Sequence, residues 1–151
     1  MSLDEIYKET ILDHYAHPRN KGRLSNSTIT VEGANPLCGD EISLYLLVEE
    51  GRIQDVRFEG RGCSISQAST SMMTEIIKGK DLSQVRALID AFKGMMHGKE
   101  PDVDLGDLVA LQGVRKFPVR IKCATLAWIA LQQALDDFEE KGATATRVVE
   151  E

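Results

Sequence analysis

At 151 residues the chain is long enough to bury one continuous core and too short to need a second domain. Its 42% hydrophobic and 28% charged residues exclude disorder throughout, and no apolar stretch approaches the length that spans a bilayer. A net charge of −6, with a pI ≈ 5.1, repels phosphate backbones and anionic lipid, so no nucleic acid and no membrane partner is expected.

In chain order, Ser2 and Glu5 have the spacing of a capping box, and Leu3, Ile6, Tyr7, Ile11 and Tyr15 recur at helical intervals until Pro18. The opening residues contain no basic segment followed by an apolar run, which predicts no secretory signal and a cytoplasmic location. Ile29 and Val31, then Ile42, Leu44, Leu46 and Val48, alternate with polar neighbours and read as two strands. A turn at "EEGR" leads to a third strand over Ile53 to Phe58. From Ser64 the period changes: Ile65, Ala68, Met72 and Ile76 follow helical spacing, with Gly79 as the stop. A further helix is predicted from Leu82, Val85, Leu88, Ile89 and Phe92. The stretch 98–117 is rich in glycine and aspartate and reads as a surface excursion with one helical turn near Leu105 to Leu111. Pro118 suits the first turn of a long helix with Val119, Cys123, Leu126, Ala127, Ala130, Ala134 and Phe138 on its buried stripe. The expected fold is α+β, a small antiparallel three-stranded sheet packed against helices, in one domain over 1–142 with a flexible tail over 143–151.

Three cysteines, odd in number and far apart, do not form a disulfide framework and are available for metal binding or nucleophilic chemistry. All three fall at element boundaries: Cys38 on a loop between strands, Cys63 at a helix start, Cys123 near the start of another helix. In extended backbone Cys38 and Asp40 face one side, and a thiol with a carboxylate suits a divalent ion such as zinc. Two donors cannot complete a tetrahedron, and any single cysteine is most simply a small buried hydrophobe. Three thiolates and a carboxylate around one dication leave two excess negative charges, for which Arg120 and Lys122 are the nearest cations in sequence to Cys123. His14 and His17 have metal-sharing spacing, but the first lies on the apolar face and the second precedes Pro18, so core or helix-end roles are expected. "EGRGCSIS" lacks the Gly-Lys-Ser/Thr ending of a phosphate loop.

Four stretches taken together, "IYKETILDHYAHPRNKG", "NPLCGDEISLYL", "FEGRGCSISQASTSMM" and "PVRIKCATLAW", resemble the iron–sulfur cluster scaffold proteins related to IscU and to the N-terminal part of NifU. The resemblance covers nearly the whole chain except its tail. It implies a zinc site on Cys38, Asp40, Cys63 and Cys123, with an iron or iron–sulfur cluster at the same site as the alternative. IscU-type members have a histidine before the last cysteine, where this chain has Lys122, a poor ligand while protonated. They also carry a chaperone-recognition segment that is replaced here by "HGKEPDVDLGDLVALQGVRKF". Both departures resemble the SufU branch, which implies a zinc-dependent acceptor of persulfide sulfur from a SufS-type cysteine desulfurase, serving downstream iron–sulfur assembly proteins. Cys38, on a glycine-flanked loop, is the expected sulfur carrier, with Arg120 and Lys122 supporting. A cluster-building scaffold and, less well supported, a zinc hydrolase using Asp40 or Glu41 as base are the alternatives.

Overall fold

A computed structural model describes residues 3–142 and 144–149. Helix α1 spans Leu3–Ala16, strands β1, β2 and β3 span Ile29–Asn35, Asp40–Glu49 and Arg52–Arg61, and helices α2 and α3 span Ser64–Ile77 and Leu82–Met96. A 3₁₀ segment, Gly106–Lys116, leads into the long helix α4, Pro118–Lys141, and strand β4, Thr144–Val149. The proposed cap at Ser2 lies outside the described residues.

The three central strands form because alternate residues are apolar: the inner face of β1 and β2 buries Ile29, Val31, Ile42, Leu44, Leu46 and Val48. Glu50 and Gly51 both take positive φ, 54° and 72°, the backbone of a two-residue hairpin turn whose twist matches β2 and β3. The strand order is β3-β2-β1-β4. The neighbouring pairs β1·β2 and β2·β3 are antiparallel, whereas β4 lies parallel to β1, with Ile29 opposite Thr144 and Ala34 opposite Val149. The sheet is therefore four-stranded and mixed, not three-stranded and antiparallel. The added strand comes from the stretch read as a tail; residues 143, 150 and 151 lie outside the described residues. Its "TATRVV" is too short and weakly alternating to reveal a strand by period, and only the free edge of β1 gives it pairing partners.

Helix α4 covers β1 and β4, and α2 packs between α4 and α1. From Cys123 to Trp128 every residue of α4 is buried, because the helix is enclosed by the sheet, α2 and the 3₁₀ segment. Trp128 stacks on Phe92 of α3, with ring centroids 4.7 Å apart, and its Nε1 donates to Ser69 Oγ at 3.2 Å. The Ser69 hydroxyl in turn donates to the Ala124 carbonyl at 2.6 Å, so α2 and α4 are pinned near the ends that carry Cys63 and Cys123. The stretch over 98–117 is not a surface excursion: Leu105, Leu108, Ala110, Leu111 and Val114 are all buried. Conversely, Val119, placed by period on the buried stripe of α4, is 65% exposed, because the first turn of the helix projects past the sheet. None of the described helices is long and apolar enough to cross a membrane.

Candidate metal centre

The site forms where the β1–β2 turn, the β3–α2 junction and the first turns of α4 meet. Asn35 closes β1 opposite Asp40, which opens β2, and Pro36 to Gly39 make the turn between them. The Cys38 N–H donates to the Asn35 carbonyl at 3.3 Å, and the Leu37 N–H donates to Asn35 Oδ1 at 3.2 Å. Gly39 completes the reversal at φ 68°, a conformation that glycine adopts without strain. Leu37 is 76% exposed and Cys38 half-buried, so this thiol is carried on a turn that reaches solvent.

Asp40 is fully buried, at 0% exposure. Its Oδ1 accepts the Cys63 N–H at 2.9 Å, and its Oδ2 lies 3.8 Å from Cys63 Sγ. This close approach needs Gly62, because a Cβ there would collide with the Asp40 carboxylate and φ is 147°. Cys63 itself caps α2: its backbone is extended, at φ −71° and ψ 164°, and its sulfur accepts the Ser66 N–H at 3.4 Å. The sulfur takes the position usually held by a hydroxyl or carboxylate oxygen and faces the positive end of the helix.

Cys123 is buried on α4 and its Sγ lies 3.3 Å from Cys38 Sγ. Burial first, then hydrogen bonds with Cys38 and Asp40, push the Cys123 thiol well above the ordinary cysteine range. Arg120, one helical turn earlier, is exposed; the negative charge of Cys63 and then of Cys123, with hydrogen bonds to both, holds its guanidinium above the ordinary arginine value. Lys122 is half-buried on the same turn of α4.

The ligand atoms of Cys38, Asp40 and Cys123 all lie within 4.8 Å of one another. Cys63 stands beside that triple, joined to it through Asp40. This donor set fits a divalent ion that accepts sulfur and oxygen together. Burial is the first reason the Cys123 thiol is raised, and the neighbouring Cys38, Asp40 and Cys63 groups add to it. A dication would relieve that crowding of acidic groups, and Arg120 would offset part of the remaining excess charge.

Two features escaped the sequence reading. One is the set of partners around His14, which is buried as its place on the apolar face predicts: Nδ1 lies 2.8 Å from Ser71 Oγ and Nε2 3.1 Å from Asp107 Oδ2. With Glu75 it makes a second cluster of metal-ligating types, which ties α1 to α2 and the 3₁₀ segment, while His17 is exposed. No spacing rule links residues so far apart in the chain. The other is a groove of about 780 Å³ beside the site, lined by Tyr7, Ile11, Ile65, Val114, Phe117 and Arg120 among others. On the α1 side it is walled by Tyr7, Ile11 and Leu12, the last 47% exposed.

The family profile described as "NifU-like N terminal domain" matches residues 6–145. The chain is 53% identical over 136 residues to the zinc-dependent sulfurtransferase SufU of Bacillus subtilis, covering 89% of this chain and 92% of that protein. It is 44% identical to the iron–sulfur cluster assembly scaffold protein IscU of Streptococcus pyogenes, over 88% of this chain and 84% of the relative. Among solved structures it is similar to a proposed iron–sulfur cluster assembly scaffold protein for the SUF system from Fervidobacterium islandicum, with a TM-score of 0.81 and 39% identity over 89% of this chain and 99% of that one. The chain therefore belongs to the NifU-like N-terminal domain family, which includes the IscU and SufU proteins.

Proposed function

We propose that this chain is a SufU-type sulfur acceptor in iron–sulfur cluster assembly, taking persulfide sulfur from a SufS-type cysteine desulfurase in the cytoplasm and passing it to the assembly machinery. The observation that carries the proposal is the meeting of one turn-borne thiol, Cys38, with a buried thiol and a buried carboxylate, all within 4.8 Å. Cys38, Asp40, Cys63 and Cys123 would hold a zinc ion, which keeps thiols deprotonated and does no redox chemistry of its own. The likeness to a protein described as zinc-dependent supports that choice of metal.

In the transfer step the Cys38 sulfur attacks the terminal sulfur of the donor persulfide. The donor's S–S bond breaks, its electron pair leaves with the donor cysteine as thiolate, and Cys38 carries the terminal sulfur as a new persulfide, with no net oxidation or reduction. Cys38 is the carrier because it alone of the three rides on an exposed turn; Cys63 is held as the cap of α2 and Cys123 is buried on α4. Asp40, anchored by the Cys63 N–H, and Arg120, against Cys63 and Cys123, keep the rest of the site in place during that exchange. Exposed Leu37, Phe117 and Val119 give a partner protein apolar surface beside the carrier.

After incubation with desulfurase and cysteine, mass spectrometry is expected to find one added sulfur on Cys38; its appearance on Cys63 would overturn the assignment. Scaffold relatives keep a second reading open, in which the chain builds clusters itself. Iron and sulfide would then yield a coloured, oxygen-sensitive protein. Lys122, where IscU-type members have a histidine, disfavours it, since an ammonium has no lone pair to offer iron.

A further inference from the structure

Among the described residues, one buried side-chain nitrogen or oxygen has no hydrogen-bond partner: Asn35 Nδ2. Buried polar groups are almost always paired, and an orphaned donor costs stability unless something outside the static fold uses it. The orientation of this amide is set, because the Leu37 N–H donates to the other fork, Oδ1, at 3.2 Å. A flipped carboxamide would bring two donors together.

The placement of Asn35 says what the donor is for. It is 1% exposed and pairs in register with Asp40, so the two side chains leave the same face of the sheet. Directly opposed residues hold their Cβ atoms about 5 Å apart, which puts the amide within a side chain's length of the donor cluster. The Asn35 backbone and side chain together tie down the turn that presents Cys38, through the Cys38 and Leu37 N–H groups. Asp40 Oδ1 is already engaged by the Cys63 N–H and its Oδ2 lies against Cys63 Sγ, whereas Cys38 Sγ, on the turn that Asn35 ties down, meets the weak thiol donor of Cys123 at 3.3 Å. A neutral thiol is a weak acceptor, whereas an anionic sulfur accepts an amide N–H well.

We propose that Asn35 is a positioning residue whose Nδ2 hydrogens are reserved for the sulfur of Cys38 once that sulfur is held by a metal or carries a transferred sulfur. This rests on the reading of Cys38 as ligand and carrier. It explains why a buried donor is left unpaired beneath the turn that presents this thiol.

The test uses cobalt(II) and zinc with the full chain, its Asn35→Asp variant, which keeps the Oδ1 acceptor, and its Asn35→Ala variant, which adds no charge. In whichever variant retains wild-type circular dichroism, zinc affinity measured against a chromophoric chelator is expected to fall about 10- to 100-fold. The sulfur-to-cobalt charge-transfer bands are expected to move to longer wavelength, because a thiolate without its hydrogen bond gives up electrons more easily. A folded variant with unmoved bands overturns the proposal, even if its affinity falls, since the amide would then act through Asp40 or through the turn alone. A wild-type chain that takes up neither metal overturns the metal reading, and this inference with it, and is recognised by failure before any substitution is made.

Discussion

The Cys38 turn and the first turns of α4 bring sulfur to the same point by opposite means. On the first, Pro36 to Gly39 reverse the chain between two strands and put Leu37 in solvent; the turn is tied by two N–H groups to Asn35, one to its carbonyl and one to its Oδ1, and the thiol meets Cys123 Sγ. On the second, Cys123 begins a run of buried residues locked by the stack of Trp128 on Phe92 and by the Ser69 bridge between α2 and α4. Under the proposed function, one sulfur would be lent to a partner while the others stay where packing puts them. The difference teaches that such a centre would need unequal supports, since equal rigidity would prevent release and equal looseness would lose the ion.

The sharpest way to break that contrast is to remove what joins the two regions. Stripping the metal with a chelator is expected to lower unfolding free energy by upward of about 5 kcal/mol, half of the roughly 10 kcal/mol that structural zinc supplies to small peptides. Denaturant melts with and without chelator check this, and unchanged melts would mean that no ion bridges the turn and the helix. Next in size, Trp128→Ala attacks only the rigid side, at a cost of about 3–5 kcal/mol for a buried aromatic. It should weaken metal retention as α2 and α4 part, and equilibrium unfolding together with metal content reads both effects. Leu37→Ser attacks only the exposed side. Stability should stay within about 0.5 kcal/mol, the usual range for surface changes, while sulfur uptake from desulfurase slows if Leu37 meets the partner. A large stability loss there would mean that the turn is part of the core after all.

The smallest effect lies far from both regions. The hydrogen bond from Arg19, at 2.7 Å, is the first cause holding the Asp13 carboxyl below its ordinary value. A carboxyl depressed in the folded state stabilises above its unfolded pKa of 3.8, and that contribution is lost as pH falls through the lower folded value. Melts of wild type and Asp13→Asn should therefore differ slightly at neutral pH and converge in strong acid. Both residues are partly exposed, so the whole difference should shrink with added salt.

Legibility in the sequence followed how local the cause was. The β1 and β2 alternations, the helical periods of α2 and α3, and Pro118 at the start of α4 all act over a few residues, and each lies near its expected place. Strand β4 was missed because its pairing partner lies more than a hundred residues earlier, and parallel neighbours have no connecting turn to betray them. The helical turn expected near Leu105 to Leu111 falls within the 3₁₀ segment, but its burial was missed because the buried leucines are interleaved with glycine and aspartate, a composition that otherwise marks loops.

For the site, residue chemistry alone offered Cys38 with Asp40 as a pair of donors and two further cysteines at element boundaries, and the resemblance to the IscU and NifU proteins implied that all four meet around one ion. Tertiary structure alone decided how unequally they are held: Cys38, Asp40 and Cys123 draw together, Cys63 joins through the Asp40 carboxylate, and Asn35 is left with an idle donor beneath the turn. The reason is physical. Donor identity is a property of single residues, whereas distance, burial and unmet hydrogen bonds arise only when segments remote in sequence share one dry space.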